Sequence, residues 1–237
     1  MVRHNFLDRY AGLDSPLHTL EARTKLVGFL ALILGVLWIP AGRNLLFFAY
    51  FLLTAVLMGI SQIPLGYIVG RTLAILPFVI LAGLGAPWTD HFEGAKLVAI
   101  FLRSILSLLL LILLTSTTPF AELLRGLRKL GCPKILVINL GFLYRYLFVL
   151  TEEVLRMRQA RDSRRIGRAP AIAEIKLLGA MLGTLLLRSF ERAERMYQAM
   201  LSRGYDGDVP VLAPRKFTWL DLGFISGVAL FIVGARP

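Results

Sequence analysis

The chain has 237 residues, 57% of them hydrophobic and 18% charged, and 27 Lys and Arg against 15 Asp and Glu leave a formal net charge of +12. With a mean hydropathy of +0.69, this composition excludes an ordinary soluble domain. It also disfavours a nucleic-acid binder, because the apolar residues come in blocks long enough to cross a bilayer and the charges fall between them. The length bounds the chain to one membrane domain with an appendage. The one cysteine, Cys132, excludes an intrachain disulfide framework and leaves a cysteine zinc site unsupported. The first 25 residues carry Asp8, Asp14 and Glu21 and lack a continuous apolar run. No signal peptide is therefore expected, and insertion is expected to be driven by internal spans.

The first apolar block runs from Leu26 to Ala41 and the second from Leu45 to Ile60. Each extends to about 17–20 residues with its flanks, so a helical hairpin turning at Pro40–Asn44 is expected. The third block, Ile63 to Pro87, holds Pro77 inside it, a position a membrane helix tolerates as a kink. The fourth runs from Leu97 to Thr115 and the last from Trp219 to Val233. Trp88 and Trp219 sit at block edges, where an amphipathic ring prefers the interface. Arg71 and Arg103 lie near span ends and are expected to snorkel. None of the first four spans carries an interior carboxylate, which argues against a proton-coupled carrier acting alone.

Residues 1–25 carry Arg3, Arg9, Arg23 and Lys25, and residues 119–216 carry roughly twice as many Lys and Arg as Asp and Glu. The positive-inside rule puts both segments in the cytoplasm, and the Asp90/Glu93 loop then falls outside. The expected organisation is an N-terminal membrane domain of four spans (1–118), a cytoplasm-facing helical segment (119–216) and a final span (217–237).

Within 119–216 the pattern predicts three helices. Residues 120–130 place Phe120, Leu123, Leu124, Leu127 and Leu130 on one face and Arg125, Arg128 and Lys129 on the other, stopped by Gly131 and Pro133. A second helix begins near Lys134, apolar at first and then strongly charged, and ends by Gly167 and Pro170. At about 30 residues it is about 45 Å long. Its early part, 135–151, is apolar enough to enter the bilayer or to lie along it. The third helix, about Ala171 to Arg203, carries a stripe of Ile175, Leu178, Leu182, Leu185, Ser189, Ala193, Met196 and Met200 and is stopped by Gly204. Gly179 and Gly183 form a G-x-x-x-G pair suited to a close helix crossing.

Catalytic motifs are missing: no phosphate-binding G-x-x-x-x-G-K-[ST], no G-x-S-x-G, no H-E-x-x-H and no C-x-x-C occurs. His4 has Asp8 four residues on and His18 has Glu21 three residues on, each a single carboxylate near one imidazole. A local hydrogen bond is the expected use of both, since two ligands do not make a metal site. His91, with Asp90 and Glu93, is expected in a solvated outer loop. The long helices both end in arginine: Arg161, Arg164 and Arg165 on one, Arg203 on the other. A cation at a helix C-terminus is favourable in itself, by about 0.3–1 kcal/mol. An arginine at a helix tip is also suited to bond a carboxylate in an acidic groove.

The segment RAERMYQAMLSRGYDG, Arg192–Gly207, resembles the second signature of the transmembrane T-component of energy-coupling factor transporters of the cobalt/nickel (CbiQ) type. The opening DRYAGLDSPLH, Asp8–His18, is similar to the same subgroup and favours metal over vitamin uptake. So is TPFAELLRGLRKLG before a long helix with an Ala-Arg signature. The resemblance implies an all-α integral membrane protein with about five transmembrane helices and three cytoplasm-proximal coupling helices, in a prokaryotic inner membrane. It implies a non-catalytic scaffold that joins a pair of ABC-type ATPases to a substrate-binding membrane subunit for cobalt or nickel, with no cofactor on this chain. Two signatures at coupling-helix ends would dock into the ATPases: Ala160, Arg161 and Asp162, and Ser202, Arg203 and Gly204. Asp162 stands where the family has glycine, so the first helix is free to continue, and Arg161, Arg164 and Arg165 are all candidates for its docking group. A self-sufficient permease and a membrane enzyme built on Asp90, His91 and Glu93 are the rival readings.

Overall fold

The computed structural model describes residues 15–40, 42–84, 94–164, 170–207 and 218–235. Its described elements are all helical: α1 (Pro16–Thr19), α2 (Ala22–Leu37), α3 (Asn44–Ser61), α4 (Leu65–Leu84), α5 (Gly94–Thr117), α6 (Phe120–Lys129), α7 (Lys134–Ser163), α8 (Ala171–Leu201) and α9 (Trp219–Gly234). They form two compact units, residues 1–132 with 215–237, and residues 133–214. The sequence reading grouped α6 with α7 and α8, whereas here α6 packs on α2 and belongs to the first unit.

The chain is an all-α membrane protein. By length and apolarity α3, Val98–Thr117 of α5 and Lys134–Ser163 can each cross a bilayer, while Leu65–Leu81 of α4 and α9 are shorter apolar helices. The long α7, whose relation to the bilayer the sequence left open, thus meets the length and composition of a span. At 16 residues, α2 is about 24 Å long, short of a ~30 Å hydrocarbon core. It begins four residues before the apolar block because Ala22–Lys25 form a first turn in which Thr24 and Lys25 are buried and Arg23 is exposed.

In the first unit α2 is the hub, touching α5, α6 and α9, and α5 also packs on α3 and α4. Its inward face is Phe29, Leu32 and Val36, all fully buried, and they join Leu106, Leu110 and Leu113 of α5 in one apolar core. The opposite face exposes Leu30, Leu34 (64%) and Leu37. Such an exposed leucine row is costly in water and suits contact with lipid. The Tyr50 and Phe231 rings meet edge to face at 4.9 Å and tie α3 to α9.

Close helix approach occurs at Gly28, Gly35 and Gly126. A methyl group on Gly28 would collide with the Phe224 ring, and one on Gly35 with the Tyr50 hydroxyl. At Gly126 it would lie 2.9 Å from a Leu26 methyl and 3.2 Å from the Ala22 and Arg23 backbone. The backbone cannot yield as a side-chain tip can, so Gly126 sets how deeply α6 sinks onto α2. Gly126→Leu is expected to lift α6 off α2, at about 1–3 kcal/mol for overpacking. Faster proteolysis around residues 118–134 in detergent checks this, and unchanged protection refutes it.

Candidate functional site

In the second unit α7 and α8 form an antiparallel hairpin. Tyr146 donates a hydrogen bond to the Met196 sulfur, and Arg188 pairs with Glu153. Moving seven residues forward on α7 therefore moves about the same distance back on α8. Both contacts fall within two or three turns of each helix, and beyond them each helix is a mixture of half-buried and exposed positions. Arg161 lies roughly two turns past Glu153, and Arg203 roughly two turns past Met196. The two arginine-bearing C-termini thus leave the contact in opposite directions on arms of similar length. Measured along the helices they are about 35 Å apart.

The end of α8 is built by Gly204, whose φ of 77° only glycine adopts without strain. There the Tyr205 N–H reaches back to the Met200 carbonyl (3.0 Å) and the Gly204 N–H to Leu201 (3.0 Å). These two bonds are the Schellman stop and satisfy the last carbonyls of the helix. Arg203 is left at the final position, exposed, with no ion pair among the described residues. Ser202 turns its hydroxyl back to the Ala199 carbonyl (3.1 Å), so it too is part of the cap.

The end of α7 is different. Asp162 allows the helix to continue to Ser163, with Arg164 as its C-cap in a right-handed conformation. The Arg161 Nε and Nη2 both donate to Asp162 Oδ1, at 2.9 and 2.8 Å, and the guanidinium side chain is 15% exposed. Arg158 approaches the other Asp162 oxygen at 4.0 Å. Arg161 is thus folded along its own helix while Arg164 is exposed at the tip. Ser163 bonds back to the Ala160 carbonyl (3.0 Å). Arg165 lies outside the described residues, as do His4, Asp8, Asp90, His91 and Glu93.

The apolar stripe expected on α8 is only partly covered. Met181, Leu185, Ser189, Arg192, Met196 and Met200 are half-buried, whereas Ile175 (68%), Leu178 and Leu182 (65%) are exposed. The short hairpin contact leaves the N-terminal third of α8 open. Among the described residues a methyl on Gly179 or Gly183 would meet nothing within 4 Å, and Gly183 lines an open groove with Leu150 of α7.

The sequence reading passed over a buried polar node in the first unit. Lys25 is fully buried, and its Nζ donates to the Thr117 carbonyl (2.9 Å) at the end of α5 and to the His18 carbonyl (3.2 Å). One turn earlier Glu21, 7% exposed, accepts from Lys129 of α6. The Glu21 N–H donates to Asp221 Oδ1 (2.7 Å), and the other Asp221 oxygen accepts from the Thr218 N–H (2.8 Å). Asp221 is 1% exposed and belongs to a capping box with Thr218. The T-x-x-D spacing at 218–221 was the available signal. His18 bonds the Ser15 hydroxyl through Nδ1 (2.7 Å), and because α1 ends at Thr19 it does not share a helix with Glu21, as the spacing had suggested. Arg103, expected to snorkel, instead donates to the Ile39 carbonyl inside the unit.

Among the described residues no three His, Cys, Asp or Glu side chains group as metal ligands. The groove lined by Leu34, Gly35, Trp38, Tyr50 and Ile232 is aliphatic and aromatic, with the Tyr50 hydroxyl and the Trp38 indole N–H as its polar side-chain groups.

A family model described as cobalt transport protein, CbiQ, matches residues 14–212, which take in both helix tips and the hairpin between them. The chain belongs to the CbiQ family. It is 30% identical over 179 residues to the cobalt transport protein CbiQ of Rhodobacter capsulatus, covering 74% of this chain and 71% of that protein. It is 36% identical over 105 residues to the nickel permease LarQ of Lactiplantibacillus plantarum, covering 44% of this chain and 38% of that protein. It is also 25% identical over 253 residues to the energy-coupling factor transporter transmembrane protein EcfT of Streptococcus thermophilus, covering 96% of this chain and 95% of that one. As a member of the CbiQ family with apolar spans, the chain is a multi-pass membrane component of a transport system. The Arg203 tip and the Arg161 tip both fall inside the matched region.

Proposed function

We propose that this chain is the transmembrane coupling subunit of an ATP-driven, energy-coupling-factor-type importer of cobalt or nickel. It joins a pair of ABC-type ATPases to a separate substrate-binding membrane subunit, holds no cofactor of its own, and leaves ATP hydrolysis to its partners. The observation that carries this reading is the hairpin with two arginine tips. Antiparallel helices of nearly equal arms present one cationic C-terminus each way, a geometry suited to two copies of one partner. Arg203 and its Gly204 turn form one docking end, and Ala160, Arg161, Asp162, Arg164 and Arg165 supply the other. Arginine suits a groove lined by carboxylates because its planar fork bonds them in pairs while keeping its charge.

In this reading the α7–α8 hairpin lies along the cytoplasmic face and does not span, so the N-terminus and both tips face the cytoplasm, where basic segments are favoured, and the protein sits in a prokaryotic inner membrane. The open α8 surface around Gly179 and Gly183 is assigned to a helix crossing with the substrate-binding subunit, since small residues let helices approach closely. Rigid-body shifts of long packed helices are an established means of transmitting a conformational change. The near-full-length similarity to EcfT favours a second reading in the same class, a coupling subunit whose substrate is not a metal.

The test is affinity purification of the tagged chain from its native membrane in mild detergent. Two ATPase copies and a small membrane subunit are expected to accompany it. A chain recovered alone that binds and transports Co²⁺ or Ni²⁺ in liposomes would instead be a self-sufficient permease.

A further inference from the structure

We propose that Glu21, Lys129 and Asp221 form a clasp that positions α6 for coupling, so that motion reaching α6 is passed to the spans. This rests on the coupling reading above.

Each member of the clasp holds a different helix. Glu21 is the N-cap residue of α2. Its carboxylate takes the ammonium of Lys129, the last residue of α6. Its backbone N–H is taken by Asp221 of α9, which also caps its own helix. Three helices therefore meet at one residue. One turn on, Lys25 holds the last carbonyl of α5, immediately before α6 begins. Both ends of α6 are in this way referred to adjacent turns of α2.

The position of α6 in the chain gives the clasp its role. After Lys129 only four residues, with the Gly131 turn and Pro133, separate α6 from α7. The Cys132 N–H bonds the Leu127 carbonyl (3.1 Å) and the Gly131 N–H bonds the Arg128 carbonyl (3.2 Å), a Schellman stop that closes α6. Lys129 thus stands at the end of α6 from which the chain continues into α7. There, apolar packing from Leu124 and Leu127 resists lifting, and the charged clasp adds resistance to sliding along α2. The Lys129 side chain is 44% exposed while Glu21 is 9% exposed. Such a pair is weak as a source of stability but directional, and removing one partner strands a buried charge.

The test uses the complex purified with its ATPases and substrate-binding subunit, reconstituted in liposomes with radiolabelled Co²⁺ or Ni²⁺ outside and ATP within reach of the ATPases. Lys129→Ala is expected to keep complex assembly and ATP hydrolysis and to lower ions taken up per ATP about tenfold, the equivalent of ~1.4 kcal/mol of coupling. Lys129→Arg should restore the ratio, and Glu21→Gln should reproduce the loss. An unchanged ratio in Lys129→Ala and Glu21→Gln, failure of arginine to restore it, or loss of the ATPases from the complex would each overturn the clasp. If the wild-type chain recruits no ATPase, the coupling reading itself fails. The clasp is then judged from amide hydrogen exchange in the purified chain, where Lys129→Ala should speed exchange in α6 about tenfold. Unchanged exchange there overturns it.

Discussion

Arg203→Glu is expected to abolish recovery of the ATPases with the tagged chain, and Arg203→Ala to weaken it by roughly 30-fold or more, with membrane insertion unaffected. The size follows from removing one partner of a desolvated, hydrogen-bonded charge pair at an interface, where the stranded carboxylates of the partner contribute most of the loss. Insertion is insulated because Arg203 is exposed at a helix tip and makes no ion pair among the described residues. The backbone turn is set by Gly204 and not by the arginine side chain. Pull-down in mild detergent, with uptake by intact cells alongside, reads the result, and normal uptake by both variants would sink the docking role. Arg161→Ala is expected to cost less. Its guanidinium already lies against Asp162, and Arg164 stands exposed at the same tip. Complete loss with Arg161→Ala alone would contradict that division.

Lys25→Met is expected to destabilise the first unit more than any other single substitution in the buried node. The methionine keeps the volume of the side chain but leaves the Thr117 and His18 carbonyls without the donor they now share. At about 1–3 kcal/mol per stranded acceptor, the loss is several kcal/mol, a fall in melting temperature of roughly 5–10 °C in detergent. Lys25→Arg is no rescue, because a fully buried site has no room for a planar guanidinium. A melting temperature unchanged in Lys25→Met would show that water or a neighbouring group replaces the ammonium at no cost.

Most helix ends were legible from local chemistry. Gly131 and Gly204 marked the stops of α6 and α8, and both take the left-handed conformation with the paired bonds of a Schellman turn. The missing glycine at Asp162 indicated that α7 continues past Arg161, and it runs to Ser163. Such signals are readable because they depend on a residue and its neighbours within one turn. The arginine tips were legible for the same reason.

The features that linear reading passed over depend on partners far apart in the chain. Lys25 read as one more cytoplasmic charge, yet it is fully buried because the carbonyl of Thr117 arrives to accept from it. Asp221 lies inside the last apolar block, yet it accepts from the N–H of the α2 N-cap residue, 200 residues away. Among the described residues the glycines at which helices of this chain meet closely are Gly28, Gly35 and Gly126, while a methyl at 179 or 183 of the G-x-x-x-G pair meets nothing within 4 Å. Spacing places residues on a face; what covers that face is settled only by the packing of the whole. Composition, apolar block length and helix-stop residues were enough to determine an all-α membrane chain with two arginine-tipped helices. Tertiary structure alone decided that α6 sits on α2, that the two tips point opposite ways on nearly equal arms, and that buried Glu21, Lys25 and Asp221 join the exposed Lys129 in one polar node, because each of these is a contact between segments that the sequence holds far apart.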